Sequence, residues 1–311
     1  MKGRRIMDYM EKSNICDELG TKEKGFYIYC IMLGDTAVIE DHKGIDGIGS
    51  LFSTQYRNLT AVVSEVEIDT FKVQISAVGE EIDMEWIEEK AQTHEKIVER
   101  LMKENVLLPA RFCSIVRKKE DIIAYIADNY HEYERALERV KGREEWGVKA
   151  YLSSEKFKQF IIDNTPEIRE RSEMLSFMSV KASFLIQLKI DNLIKARMEK
   201  RFEGIIPHIV ELLRDASEHE SILDVESFNQ QQLENPLFFN ASYLVEKNAF
   251  HDFKHKINKL SAELEPEGIT LVVSGPWPPY SFVEDENKSD IERSLVRLLF
   301  PISGIRGVGK N

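Results

Sequence analysis

His94 and Glu95 are the first residues to weigh for chemistry. A zinc-peptidase helix needs a second histidine four residues after the first, with the glutamate as base. Position 98 is a valine, so that ligand is missing. His94 instead falls on the apolar stripe of a segment with helical period, which reads as a satisfied core histidine. His251 and His255 have the i, i+4 spacing of a shared helix face. They lie beside the Phe250/Phe253/Ile257 stripe, and no third ligand is near in sequence, so no metal is expected there. Cys113 becomes a nucleophile only beside a base or cation that lowers its pKa. Its neighbours Phe112, Ser114 and Ile115 supply none, and it reads as a small apolar strand residue. The run 304–310 (GIRGVGK) echoes a phosphate loop, but such a loop needs a strand before it and a helix after it, and no helix follows before Asn311. The adjacent carboxylates Glu80-Glu81, Glu88-Glu89 and Glu144-Glu145 do not face each other on a helix and read as solvent-facing. Neither a GxSxG elbow nor a CxxC pair occurs. The sequence therefore predicts a protein without catalysis, metal or cofactor.

Two stretches resist this dismissal. Leu108-Pro109-Ala110-Arg111-Phe112 sets a guanidinium within an apolar run. An unpaired buried charge is costly, so Arg111 is expected to pair with a carboxylate or to stand at an exposed strand end. The second stretch is Gly275-Pro276-Trp277-Pro278-Pro279-Tyr280. Prolines cannot donate to a ladder and are expected to halt the preceding strand, while Gly275 permits an unusual backbone. Trp277 and Tyr280 are large amphipathic side chains suited either to a binding hot spot or to a rigid corner closing the core.

The elements that must carry these residues follow from periodicity. Residues 26–33 (FYIYCIML) form a continuous apolar run fit for a central strand, followed by strand candidates at 50–56 and 60–66. Gly44-Ile45-Asp46-Gly47-Ile48-Gly49 is a turn-rich connection. A helix over 83–104 aligns Met84, Ile87, Ala91, His94, Val98 and Leu101. One strand is expected over 106–116 and one helix over 118–141, stopped by Gly142. The second half reads as a strand at 146–152, a helix at 155–163 and a start signal at Thr165-Pro166. A helical tract at 174–216 follows, with Met178, Ala182, Leu185, Leu193 and Phe202 inward and a break at Gly204 or Pro207. Strands at 221–227 and 237–245, a helix at 247–264 and a strand at 269–274 complete it. From 146 to 283 this order is the split βαβ order of a ferredoxin-like domain.

Composition bounds the rest. Over 311 residues, 42 Lys and Arg stand against 54 Asp and Glu, a net charge of −12. That balance argues against a general nucleic-acid binder, which needs surplus cations for phosphates. The longest apolar runs fall far below the roughly 18 residues of a membrane helix. Asp8, Glu11 and Lys12 interrupt any signal-peptide core. Three scattered cysteines suit a reduced compartment, so a cytoplasmic location is expected.

Taken in order, residues 26–31, Gly44-Ile45-Asp46-Gly47, 59–66 (LTAVVSEV), His94-Glu95, 106–112 (VLLPARF), 145–149 (EWGVK), 240–245 (NASYLV) and 275–282 (GPWPPYSF) form a pattern. It resembles the gas vesicle protein F/L family (GvpF/GvpL) from about residue 25 to 283. The resemblance implies an α+β protein of two domains. The expected divisions are an extension over 1–24, a mixed α+β domain over 25–142, a ferredoxin-like domain over 143–284 and a tail over 285–311 with a short amphipathic helix. It also implies a cytoplasmic, gas-vesicle-associated accessory factor that binds the small hydrophobic shell protein (GvpA-like) and assists its incorporation, with other accessory gas vesicle proteins as further partners. Arg111, Phe112, Trp146, Gly275, Pro276, Trp277, Pro278, Pro279 and Tyr280 are the candidate partner-binding or structural residues. The competing class is a small-ligand-binding or regulatory protein. It would need a concave pocket with Arg111 beside His94 and a carboxylate.

Overall fold

The computed structural model describes residues 23–34, 42–75, 83–175, 180–222 and 235–283. Of the extension expected over 1–24 only Glu23 and Lys24 are described, Lys24 already in the first strand; the tail helix near 290–300 and Met178 lie outside the described residues. The first sheet contains β1 (Lys24–Leu33), β2 (Leu51–Tyr56), β3 (Leu59–Glu67), β4 (Leu107–Pro109) and β5 (Ile115–Val116), in the order β2-β3-β1-β4 with β5 also on β1. β1 is central, as its unbroken apolar run predicts, because a strand covered on both faces needs no polar alternation. A register shift between Ile28 and Cys30 lets Tyr27, Tyr29, Cys30 and Met32 serve one core layer while Ile28 and Ile31 serve the other.

Helices α1 (Ile68–Ile75) and α2 (Met84–Met102) cover the tyrosine side. Asp83 starts α2 by accepting the Trp86 N–H at 2.9 Å. Met84 lies mostly exposed ahead of the buried stripe Ile87, Ala91, His94 and Val98. Helices α3 (Lys119–Asp128) and α4 (Tyr130–Val140) cover the other side. The single helix expected over 118–141 is thus two. Asn129 leaves helical geometry at φ −115° and ψ 15°, which turns the axis while Ile122, Ile126, Tyr133 and Leu137 all stay buried.

The strand expected over 106–116 is also two pieces. Between β4 and β5 the chain turns at residues 111–114, with Ser114 N–H bonded to the Arg111 carbonyl at 3.1 Å and Cys113 at φ +65°. Arg111 is therefore a half-buried turn residue, and Cys113 sits in that turn and not in a strand.

The second sheet holds β6 (Arg143–Leu152), β7 (His219–Ile222), β8 (Leu237–Glu246) and β9 (Ile269–Trp277), in the order β7-β8-β6-β9 with every pair antiparallel. Gly142, at φ +75°, ends the preceding helix as expected. β9 does not halt at residue 274. It runs through Gly275 and Pro276 to Trp277, which pairs with Glu145 across a register shift. Pro276 falls within that register shift on an edge strand and has no partner in the ladder, a place where proline is tolerated.

Between β6 and β7 run α5 (Ser154–Asn164), α6 (Pro166–Leu175), α7 (Val180–Glu203) and α8 (Ile205–Arg214), the last two separated at Gly204. α9 (Phe250–Leu264) follows β8. One face of the second sheet packs on α8 and α9 through Val148, Phe239, Tyr243, Ile209 and Phe253. Ile161, Ile168, Ile190 and Ile194 form a small core joining α5, α6 and α7. Leu185, expected inward, is exposed, because that core buries the opposite side of α7.

The two sheets meet. Leu244 of β8, together with Phe282, belongs to the same buried cluster as Ile28, Ile31, Leu137 and Val140.

Candidate functional site

The residues singled out from sequence gather around two buried polar centres. The first is His94, fully buried on α2 among Tyr29, Tyr27, Phe112 and Tyr280, whose ring centroids lie 5.8, 5.6, 6.2 and 6.5 Å away. Its Nε2 lies 3.2 Å from the Ala110 carbonyl, which can only accept, so Nε2 carries the proton. Nδ1, 3.0 Å from the Tyr27 hydroxyl, then accepts. That hydroxyl in turn accepts the Cys113 N–H at 2.9 Å. One relay therefore ties α2 to β1 and to the turn after β4. Burial holds the imidazole down at about 4, against a smaller upward pull from the Ala110 bond. Burial pushes the Cys113 thiol up to about 12 and the Tyr27 hydroxyl well above its usual range. A neutral histidine, a protonated thiol and a protonated phenol make a fastening, not a nucleophile.

A second tyrosine works alongside. The Tyr29 hydroxyl accepts the Ile45 N–H at 2.7 Å and lies 2.8 Å from the Ser64 hydroxyl. Asp46 accepts from Ile48 and Gly49 at 2.9 and 3.0 Å. A Cβ at Gly44 would stand 2.3 Å from the Ser64 hydroxyl, so the loop lies flat on the sheet only with glycine there. The glycines of this loop are thus structural, and they leave Ile48 at its tip 76% exposed.

The second centre is Glu145, only 4% exposed. The solvent-facing expectation for Glu144-Glu145 fails here because the pair lies on a strand, where neighbours point to opposite faces. Ser281 donates its N–H to Glu145 Oε2 at 3.1 Å and its hydroxyl to Oε1 at 2.7 Å. The Ser242 hydroxyl of β8 lies 3.0 Å from that of Ser281. Burial raises the Glu145 carboxyl to about 7, and the bonds from Ser281 and Ser242 restrain the rise.

The segment after β9 joins the centres. Trp277 is half-buried and donates its indole N–H to Ser274 at 3.1 Å. Pro278 and Pro279 are buried, while Gly275 and Pro276 are exposed. Tyr280, its hydroxyl buried, lies against His94, and Phe282 enters the opposite core layer with Leu108 and Ala110. The two rings bracket the β4 edge of the first sheet. Gly275 stands at φ +131°, and a Cβ there would lie 2.9 Å from the Glu145 carbonyl and 3.0 Å from the Trp146 ring. Trp146 stacks on Phe250 at 3.9 Å and 17°. Phe112 and the aromatic segment are thus brought together around His94, whereas Trp146 packs on α9 and Arg111 lies in the turn at the edge of the group.

Sequence reasoning missed Glu145, Ser242 and Ser281. Ser242, a polar residue within the apolar run of β8, was the one local signal; nothing local sets Glu145 apart from Glu144 or points to Ser281. His251 and His255 are exposed, and no group of three His, Cys, Asp or Glu among the described residues is placed to hold a metal ion. No helix among the described residues is long and apolar enough to cross a membrane.

The family model described as gas vesicle synthesis protein GvpL/GvpF matches residues 25–284. Gas vesicle protein L of a Streptomyces species is 24% identical over 259 residues, covering 82% of this chain and 91% of that protein. Among solved structures, GvpF from an Anabaena species superposes with a TM-score of 0.62 at 18% identity, over 85% of this chain and 100% of that one. GvpF from Microcystis aeruginosa gives 0.57 at 17% identity, over 84% and 99%. The structural likeness shows a shared mixed α+β fold, and the match across residues 25–284 shows that the chain belongs to the GvpL/GvpF gas vesicle synthesis family.

Proposed function

We propose that this protein is a non-catalytic accessory factor in gas vesicle formation, which binds the small hydrophobic shell protein and assists its incorporation. The family match over residues 25–284 carries this reading. The physical need is plain: a subunit destined for a gas-filled wall presents apolar surface before assembly and requires a soluble partner to cover it. The protein acts in the cytoplasm, at gas vesicles, and other accessory gas vesicle proteins are its further partners.

We assign residues 25–142 and 143–284 to two domains, each built on its own sheet. The second is ferredoxin-like: its strands, numbered within the unit, run 4-1-3-2, all antiparallel, with helices after the first and third. The docking surface is assigned to the first domain, where Ile48 and Met84 expose apolar side chains at 76% and 56%. Tyr280, against His94, holds the two domains in register, Pro278 and Pro279 stiffen the segment that carries it, and Phe112 and Trp146 pack within the first and second domain respectively. Gly275, Pro276, Trp277 and Arg111 are the members of the group open enough to touch a partner.

The test is co-purification with the co-expressed shell protein at low and high salt. Capture that survives high salt supports apolar docking, because screening weakens only charge contacts. Absence of capture at both salt levels overturns the reading. Ile48→Ser with Met84→Ser should reduce capture while leaving the fold intact. If Phe184→Ser with Leu188→Ser reduces it instead, the surface belongs to the second domain.

A further inference from the structure

The segment of residues 278–283 is the only described covalent continuation of β9, and it binds the first sheet through side chains on both its faces. Its polar anchorage is Glu145, a carboxyl nearly sealed from water whose described hydrogen bonds come from serines. A carboxylate in such a place loses its hydration and receives only neutral donors in return. We infer that Glu145 is a proton-operated latch: protonated, it holds the strap of residues 278–283 closed across the two sheets, and ionised, it loosens that strap.

The neighbours of the latch are consistent with this. Ser242 of β8 faces Ser281, and Trp277 of β9 lies opposite Glu145 in the ladder. Tyr280 of the strap feels the negative charge of Glu145, and also that of Glu95 and Glu99 on α2 and of Cys30 on β1 if ionised. His94 beside Tyr280 is held neutral by burial. No cation among these neighbours offsets the burial of Glu145, and only the bonds from Ser281 and Ser242 favour its ionised form. Burial puts its titration at about 7, where modest changes in acidity move it.

Released, the strap would withdraw Phe282 from the shared core and Tyr280 from His94. The sign is fixed by linkage. A solvated carboxyl in the open state titrates in the ordinary range and the closed one near neutrality, so closure is favoured at low pH and weakened as pH rises.

The experiment is hydrogen exchange of the Ser281 amide in the full chain, read between pH 6 and pH 8 and divided by its intrinsic rate. The opening constant should rise about tenfold over that interval. Glu145→Gln cannot ionise and should abolish the rise. Ser281→Ala removes one donor to the carboxylate but keeps the N–H, so it should move the midpoint to higher pH, a readout that stands even if the glutamine variant folds poorly. A wild-type opening constant flat across the interval overturns the proposal. So does a rise that persists unchanged in Glu145→Gln, or a Ser281→Ala midpoint that stays put or falls.

Discussion

His94 and Glu145 are both titratable, both buried and both placed where elements distant in sequence meet, yet burial drives them in opposite directions. The imidazole is pushed down to about 4 and the carboxyl up to about 7. In each case the low-dielectric site selects the neutral form. The difference lies in the company each keeps. Both ring nitrogens of His94 are engaged, one by a carbonyl that fixes the tautomer and one by a tyrosine hydroxyl that is itself pinned by a backbone N–H. Neutral histidine is complete there, and the site has no use for a proton. Glu145 meets serine donors that accept either protonation state, so its site leaves the proton in play near neutral pH. A buried titratable group therefore fastens or switches according to whether its partners permit one hydrogen-bonding arrangement or two.

The largest test of the fastening role is His94→Ala. It empties a ring-sized space among Tyr27, Tyr29, Phe112 and Tyr280 and removes the acceptor of the Tyr27 hydroxyl proton and the ring donor to the Ala110 carbonyl. The expected loss is about 4 kcal/mol in urea unfolding, summing a large-to-small core change with orphaned polar groups. A loss below about 1 kcal/mol would mean that the relay is decorative.

Acidity should separate the two centres next. The contribution of His94 is full above its unfolded pKa of 6.5 and is lost as pH falls toward about 4. That of Glu145 is full below its unfolded pKa of 4.5 and is lost as pH rises through about 7. Each amounts to about 3 kcal/mol at an energy of roughly 1.4 kcal/mol per pKa unit. The two slopes have opposite signs and overlap between pH 4.5 and 6.5, so they largely offset each other in the intact protein. Glu145→Gln should therefore make stability climb with pH across that window relative to the parent, and His94→Gln should make it fall. Denaturant midpoints at a series of pH values decide the matter, and parallel curves for parent and variants would sink it.

Much of the framework was legible in the residues. The run at 26–33 announced a strand buried on both faces, and Gly142 and Gly204 marked breaks that the chain does make. Local pattern is enough for such features, because each depends on a residue and its near neighbours. The errors share a different cause. The division of 106–116 into β4 and β5 depends on the Tyr27 hydroxyl reaching the Cys113 N–H across 86 positions, which no local window contains. The burial of Glu145 depends on Ser281, 136 positions away. Leu185 reads as inward because α7 is apolar on more than one side, and periodicity alone does not say which side finds a partner. Of the aromatic segment after β9, sequence showed that it was rigid and amphipathic. It did not show that the segment serves as a strap between two sheets.

Gly275→Ala tests whether that strap needs its unusual entry. The backbone there, at φ +131°, is one that L side chains rarely adopt, and the added carbon would press on the Glu145 carbonyl and the Trp146 ring. The expected cost is about 2 kcal/mol, from conformational strain joined to a close contact with backbone. The loss should come with faster exchange of the Ser281 amide, since the same displacement moves Glu145. Equal loss with unchanged exchange would detach the glycine from the latch and leave it a purely local requirement.

The smallest effect should come from an exposed apolar stretch of α7. Phe184 is 69% exposed and Leu188 52%, whereas Glu145, an acidic residue, is 4% exposed. By residue type alone the phenylalanine would rank as core and the glutamate as surface. If burial and partner geometry set the energetics at both centres, Phe184→Ser with Leu188→Ser should shift unfolding stability by no more than about 0.5 kcal/mol. The opposed pH slopes assigned to His94 and Glu145 should stay intact in that variant. A loss several times larger would mean that this stretch of α7 is covered in solution, and the small isoleucine core joining α5, α6 and α7 would then be one part of a larger buried surface.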